Sequence, residues 1–174
     1  SEATRSITES SKFKVEGLSI ENQISVANYI RDYLDDPSHA GDLIPMVASL
    51  TNNGIVAQIT EYNDAILRRQ KLLENSSERS PVIQDMDNVL AAVRRSIIAS
   101  LNSHVSTLEI QLSNMRKEEA LANHRISTMP SQEKVLLDIM RQQKIKEALY
   151  LYLLNKREEN ALSQAMADNN ARVI

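Results

Sequence analysis

The chain has 174 residues, a formal net charge of −3 and 25% charged residues, which indicates one folded domain of ordinary size and not a disordered segment. It has no cysteine, which excludes disulfides and metal sites with cysteine ligands. Its two charge signs are interspersed, which argues against nucleic-acid binding, since that activity usually shows as a basic face. With only 3% aromatic residues, the core must come from Leu, Ile, Val, Ala and Met, which suits long seams between helices.

The first predicted element is a long amphipathic helix from about Thr4 to Asp35. Its apolar residues recur at spacings of three and four, the period of a helix with one buried face. They are Phe13, Gly17, Ile20, Ile24, Ala27, Ile30 and Leu34. The glycine on this stripe predicts the close approach of a neighbouring helix. Of the three glycines and four prolines, four lie between residues 37 and 54, which predicts the one substantial loop there.

The second predicted helix runs from about Asn53 to Glu74. Its stripe consists of Ile55, Ile59, Tyr62, Ile66, Arg69 and Leu73. A polar connector then ends in Ser80-Pro81, which is a strong signal for the start of a helix. Serine can cap the free amides, and proline at the first helical position loses no hydrogen bond.

The third predicted helix is the longest, from Pro81 to about Thr128. At 1.5 Å per residue it forms a rod of about 70 Å, and a pattern longer than about 25 residues is typical of a coiled coil, a membrane span or a helical repeat. Its polar face is too charged for a membrane span. Its stripe consists of Met86, Leu90, Val93, Ile97, Leu101, Val105, Leu108, Leu112, Met115, Ala122 and Ile126.

The fourth predicted helix begins at Ser131 and fades toward Asp168. Its predicted packing stripe consists of Val135, Ile139, Gln142, Leu149, Leu153, Lys156 and Asn160. The segment from Leu149 to Leu154 is apolar on all sides of the helix, which predicts burial on more than one side, against two partner helices or in a subunit contact.

The breaks between these helices predict how they pair. The short break at Pro130 predicts that the third and fourth helices fold back antiparallel and pack along most of their lengths, while the first two form another hairpin. The predicted fold class is therefore all-α, with four main helices in long antiparallel coiled-coil hairpins. We expect one elongated domain, with residues 1–52 as the N-terminal helix and connecting loop and residues 53–174 as the long hairpin region.

The sequence contains little that indicates catalytic chemistry. Isolated glycines cannot form a phosphate loop. His104 and His124 lie about 30 Å apart along one helix, so they cannot share a metal. We interpret the histidines as polar surface residues, and His39 with Ser38 and Asp36 as a turn and not as a triad. The sequence predicts no catalytic, cofactor-binding or metal site, and no apolar run approaches the roughly 20 residues of a membrane span.

The run after Pro130, SQEKVLLDIMRQQKIKEALYLYLLNKREENALSQAMADNNARVI, carries a more specific signal. It resembles the end of the periplasmic region of bacterial capsular and exopolysaccharide tyrosine autokinases, the chain-length determinant or polysaccharide co-polymerase proteins. The positions that match this pattern are Pro130, Gln132, Glu133, Arg141, Gln142, Leu149, Tyr150, Leu153, Leu154, Lys156, Arg157, Glu158 and Glu159. The family's closing Gly-Asn-Val-Arg tetrad stands here as Asn169-Asn170-Ala171-Arg172, before Val173 and Ile174, and departs at two of its four positions.

Two upstream segments extend the resemblance, which is closest to the versions found in Bacteroides-like bacteria. Residues 58–63 with 67–69 are similar to the family's second helix, and residues 75–83 to its connector. The resemblance implies a parent with two membrane helices around a periplasmic region and a cytoplasmic kinase domain that uses ATP and magnesium. It implies that the present region is a periplasmic part without enzymatic activity. Val173 and Ile174 would stand where the chain returns toward the membrane.

The resemblance also implies partners and roles. The parent would form a homo-oligomeric ring in the inner membrane, work with the polysaccharide polymerisation and export machinery, and control polysaccharide chain length. The matching residues, with Arg172, would serve packing and assembly. The alternative hypothesis is the helical hairpin arm of a periplasmic secretion or efflux adaptor, which strand-rich flanks would reveal. A third hypothesis is an enzyme or ligand sensor built on a helical bundle.

Overall fold

The computed structural model describes residues 2–172, apart from the side chains of residues 131, 132 and 172. Within this range the fold is all-α, as predicted. The elements in chain order are α1 (Glu2–Asp35), a short 3-10 helix (Pro37–His39), α2 (Asn53–Leu73), α3 (Pro81–Ser127) and α4 (Ser131–Arg172). The predicted breaks at the loop, at the connector and at Pro130 are confirmed.

Side-chain caps fix the starts of two helices. The Asn52 side-chain oxygen accepts a hydrogen bond from the amide of Ile55 at 3.1 Å and caps α2. The Ser80 hydroxyl accepts one from the amide of Ile83 at 3.4 Å, so α3 begins at Pro81 as the Ser-Pro pair predicts. Each cap satisfies an amide that the first helical turn leaves without a backbone partner.

The chain forms two compact units. One comprises Gln23–Ser106, and the other comprises Ser1–Asn22 with Thr107–Ile174. Helices α1 and α3 contribute residues to both. The sequence pattern divides the chain at residue 52 by the order of its helices, whereas these two units are defined by contacts. The predicted division at residue 52 therefore stays a prediction.

In the unit Gln23–Ser106, α1, α2 and α3 surround one apolar core, and the predicted stripes of all three helices are confirmed there. Its buried residues are Ala27, Ile30, Leu34, Ile44, Leu50, Ile55, Ile59, Tyr62, Ile66, Leu90, Ile97, Leu101 and Val105. Fully burying a large aliphatic side chain stabilises a fold by about 1.5–3 kcal/mol, so this core is the main source of stability in the unit.

One arginine joins the elements of this unit. The Arg94 guanidinium on α3 donates to the carbonyl of Leu34, at the end of α1, at 2.6 and 2.8 Å. It also donates to the carbonyl of His39 at 3.3 Å and to the hydroxyl of Tyr62 at 3.2 Å. Its hydrogen bonds therefore connect α1, the loop and α2 to α3.

In the other unit, α1 packs against both α3 and α4. The Ser10 hydroxyl donates to the side chain of Asn123 on α3 at 2.8 Å. Lys144 on α4 donates to the hydroxyl of Thr8 at 2.8 Å, and Tyr152 to the carbonyl of Leu18 at 3.4 Å. Residue numbers that rise together on α1 and α4 identify a parallel pair. The prediction that α3 packs with α4 alone was therefore incomplete, because α1 packs against both of them as a third helix.

The predicted packing stripe of α4 is wrong at several positions. Val135, Ile139, Gln142, Leu153 and Asn160 are exposed, and the side of α4 that packs against other helices shares only Leu149 and Lys156 with the prediction. The residues of this packed side are Leu137, Arg141, Lys144, Ala148, Leu149, Tyr152, Lys156 and Glu159. The error has a physical cause at three positions, because Lys144, Tyr152 and Lys156 face polar groups of α1, which select hydrogen-bonding side chains there.

Candidate functional site

Helix α4 leaves two pairs of large apolar side chains exposed on one side, with the polar residues Gln143 and Lys146 between the pairs. Leu136, Ile139, Tyr150 and Leu153 are each 60–67% exposed. At 100° per residue they fall within about 100° of one another around the helix. We call these four residues the outer stripe. The expected burial of the Leu149–Leu154 segment against two partner helices of this chain is therefore wrong, since Tyr150, Leu151 and Leu153 are exposed. Its burial in a subunit contact stays a prediction.

The opposite side of α4 is polar and is used in packing. The ammonium of Lys156 donates to the Asn22 side chain and lies 5.9 Å from the centre of the Tyr152 ring, within the range of a cation–π contact. Burial raises the pKa of the Tyr152 hydroxyl, and the charges of Glu159 and Glu21 add to the rise. The tyrosine is therefore a neutral hydrogen-bond donor to α1 at physiological pH.

The residues that match the family pattern separate into two groups. Arg141, Leu149, Lys156 and Glu159 are partly buried on the packed side, and Leu154 is partly buried although it has the same angle around the helix as Leu136 of the outer stripe. The exposed ones are Pro130, Glu133, Gln142, Tyr150, Leu153, Arg157 and Glu158. Gln132 and Arg172 have side chains outside the described part, and Val173 and Ile174 lie outside it entirely.

A pocket of about 410 Å³ opens at the elbow where α3 meets α4. We call it the elbow pocket. It is lined by Asn123, Ile126, Ser127, Lys134, Val135, Asp138 and Arg141. The sequence pattern identified Arg141 only as a motif residue and did not predict this pocket. The available signal was the spacing of Lys134, Asp138 and Arg141, four and three residues apart, which places all three on one side of a helix.

A second cleft, of about 440 Å³, lies in the unit Gln23–Ser106, where Arg69, Asp87 and Arg94 line it with Tyr62. Arg69 forms a double hydrogen bond with Asp87, one arm at 3.1 Å, and Arg94 is engaged as described above. These charged groups already have partners within the protein, which assigns them a structural role.

The histidines have more contacts than the sequence predicted. His104 is partly buried, and its Nδ1 lies 3.4 Å from the side-chain nitrogen of Asn52. His39 stacks on Tyr33 with ring centres 4.0 Å apart and bonds Asp42 at 3.0 Å. The interpretation as plain surface residues is therefore wrong for His104. The turn is confirmed, since the amide of Ser38 donates to the Asp36 carboxylate at 2.8 Å and no triad contact forms among the three residues.

Within residues 2–172 no group of three or more His, Asp or Glu side chains converges as a metal site would require. Among the described helices, none combines the length and the apolar character that crossing a membrane needs.

The fold defines an all-α protein of long packed helices. Over 60 residues the chain is 35% identical to the tyrosine-protein kinase etk of Escherichia coli K12, and equally to the proteins of that name from strains O127:H6 and O157:H7. The match covers 34% of this chain and 8% of each kinase. This similarity supports a relation to the family of those kinases. No protein-family model and no solved structure matches the chain.

Proposed function

We propose that this chain is the periplasmic helical module of an inner-membrane polysaccharide co-polymerase with tyrosine autokinase activity, of the Gly-Asn-Val-Arg type and closest to those of Bacteroides-like bacteria. The module regulates the chain length and export of capsular polysaccharide or exopolysaccharide. The kinase domain of the parent binds ATP and magnesium, and the module itself is not an enzyme. The 35% identity to a tyrosine-protein kinase over 60 residues supports this parentage.

The outer stripe is the observation that carries the assembly role. Two of its four residues, Tyr150 and Leu153, are among the positions that match the co-polymerase pattern, and both side chains are more than half exposed in this chain. Large exposed apolar residues on one side of a helix are typical of a contact between proteins. We propose that the outer stripe contacts another subunit of the homo-oligomer or the export machinery.

The parent gene tests the parentage directly. We expect sequences that encode a membrane span on each side of the module, followed by a kinase domain with a Gly-rich phosphate loop. Spans without a kinase would leave a chain-length regulator that lacks phosphorylation. Strand-rich flanks and no second span would replace the proposal with the adaptor arm.

A pair of variants in the intact parent tests the role of the outer stripe. Tyr150→Glu with Leu153→Glu places two charges on the stripe and should shift the polysaccharide length distribution on gels and reduce cross-linked oligomers. The matched control is Ile110→Glu, an equally exposed apolar residue on α3, which should do neither. An unchanged length distribution and unchanged cross-linking in the double variant would remove the assembly role from this surface.

A further inference from the structure

Two charged side chains border the second apolar pair of the outer stripe, Tyr150 and Leu153. Glu147 lies three residues before Tyr150, and Arg157 lies four residues after Leu153, so both fall on the same side of α4 as the stripe. Both are exposed, and neither forms a salt bridge with another described residue. The stripe therefore offers a partner one negative and one positive group, at opposite ends of an apolar patch.

The spacing along this side of α4 is that of a coiled-coil contact. Steps of four and three residues alternate, which keeps one side of a helix against a partner helix. We call these six positions the seam: Gln143, Glu147, Tyr150, Leu154, Arg157 and Ala161. All are exposed except Leu154, which is partly buried. The hydrogen bonds of α4 to α1 come from its other side, so the seam is open to a partner.

The charges of the seam select an orientation when the partner is a second copy of the chain. A parallel pair in register would place Glu147 against Glu147 and Arg157 against Arg157, and such contacts between like charges disfavour a pair. In an antiparallel pair with its two-fold axis at the level of residue 152, Glu147 of each copy lies beside Arg157 of the other. Shifting this pair by seven residues in either direction would place Arg157 opposite Met140 or Leu154 instead, where its charge has no partner.

The sizes of the side chains fit the same antiparallel pair. Tyr150 of each copy packs against Leu154 of the other, and Gln143 lies against Ala161, a large side chain against a small one. Leu153, at the edge of the seam, lies beside Leu153 of the second copy. The seam is therefore complementary to itself in charge and in size when one copy is reversed, which is the requirement for an isologous two-fold contact.

We propose that the chain forms a two-fold symmetric antiparallel pair through the seam of α4. The proposal rests on the contact role of the outer stripe in the proposed function, and it names a second copy of this chain as the partner. The contact is centred on Tyr150 and Leu154, and the two ion pairs between Glu147 and Arg157 fix its register. For two copies anchored in one membrane, the two-fold axis would be perpendicular to the membrane, and α4 would run along its surface.

Disulfide formation between introduced cysteines tests the orientation, because the chain has no cysteine of its own. Gln143→Cys and Ala161→Cys change two exposed positions of the seam. We expect a linked dimer when the two variants are mixed and oxidised, and little from either alone, since position 143 lies about 27 Å along α4 from position 143 of the second copy. Glu118→Cys, at an exposed position on α3, should give no dimer with either variant. Linked dimers from each seam variant alone would mean a parallel pair and would overturn the proposal.

Reversing the charges tests the same pair by its affinity. Sedimentation equilibrium of the 174-residue chain measures the dissociation constant of the dimer. Glu147→Arg sets positive groups against each other twice and should raise this constant about tenfold. Adding Arg157→Glu restores two opposite pairs and should return the constant to within about twofold of its original value. Glu118→Arg on α3 should leave it unchanged.

The outcomes separate this proposal from the proposed function. A chain that stays monomeric at about 1 mM, or a double variant that is no tighter than Glu147→Arg, overturns the antiparallel pair. Neither result decides the parentage, which depends on the parent gene. The variant with Tyr150→Glu and Leu153→Glu in the intact parent would then show whether the outer stripe contacts the export machinery instead.

Discussion

Gly17 lies on the packed face of α1, but the packing there does not require a glycine. A methyl group added at its Cα would lie 3.7 Å from Leu112 Cδ1, an ordinary van der Waals distance. The predicted neighbouring helix is present, but its distance does not demand glycine. Because glycine within a helix costs about 0.5–1 kcal/mol relative to alanine, Gly17→Ala should raise the free energy of unfolding by that amount in urea denaturation.

Gly41 is the matched control for this substitution. Its φ is +87°, a conformation that side chains rarely adopt, so Gly41→Ala should destabilise by about 1–2 kcal/mol although the space around it is open. If Gly17→Ala were the destabilising change, α1 and α3 would pack more tightly than the structure describes.

His104 couples the stability of the fold to pH. Burial lowers the pKa of its imidazole below the usual 6.5. The contact with Asn52 also requires an unprotonated Nδ1 that accepts a hydrogen bond. The folded state therefore binds fewer protons than the unfolded state near this pH, so stability should fall as the pH drops below about 6.5 and level off below the lowered pKa.

Urea denaturation midpoints measured between pH 8 and pH 5 test this coupling. The pH-dependent loss should be smaller in His104→Gln, whereas His124→Gln, at an exposed position on the same helix, should keep the loss of the unchanged protein. Equal slopes in all three proteins would show that His104 titrates in the same way folded and unfolded.

At the level of elements, α3 carries the clearest division between a buried and an exposed face. Leu108 is 3% exposed and Ile110 is 65% exposed, only two residues away. Leu108→Asp buries a charge without a partner and should cost about 3–5 kcal/mol. Ile110→Asp adds the same charge in water and should stay within about 0.5 kcal/mol. Thermal denaturation followed by circular dichroism compares them, and similar losses would mean that the orientation of α3 is wrong.

Arg94 and Arg95 form a second matched pair on α3. Arg94 donates to the Leu34 and His39 carbonyls and to the Tyr62 hydroxyl, whereas Arg95 is exposed. Arg94→Gln leaves these acceptors without their charged donor and should cost about 2–4 kcal/mol, since each hydrogen bond to a charged group contributes about 1.5–3 kcal/mol. Arg95→Gln should be nearly silent in the same urea titration, and equal losses would contradict the network.

The helices could be predicted from the sequence because their limits depend on local signals. Ser80-Pro81 starts α3 and Pro130 precedes α4, and both signals act within one turn. The orientation of α4 could not be predicted in the same way, because its packed side depends on α1, which is distant in the sequence. The spacing of apolar residues placed Leu153 on the predicted packed side of α4, but its side chain is exposed. Tyr152, which the prediction left out, donates a hydrogen bond to α1.

For the molecule as a whole, the candidate site was predictable only in part. The family pattern directed attention to residues on α4 but did not separate those that pack within the chain from those on the outer stripe. Lys156 and Leu153 both match the family pattern. The Lys156 side chain nevertheless forms a hydrogen bond with Asn22, whereas the Leu153 side chain faces solvent. The elbow pocket was missed because it needs the end of α3 beside the start of α4, which no local spacing describes.

The end of α4 is the part of the molecule that its own contacts support least. From residue 161 to residue 171 the side chains are exposed except for the partly buried Ser163, and Lys156, five residues earlier, still bonds α1. Deleting residues 161–174 should therefore reduce the helical signal in circular dichroism but cost less than about 0.5 kcal/mol, which is a shift in melting temperature below about 2 °C. Deleting residues 149–174 also removes Tyr152 and Lys156 and should lower the melting temperature by several degrees. Equal losses from the two deletions would mean that the last turns of α4 contribute packing that their exposure does not indicate.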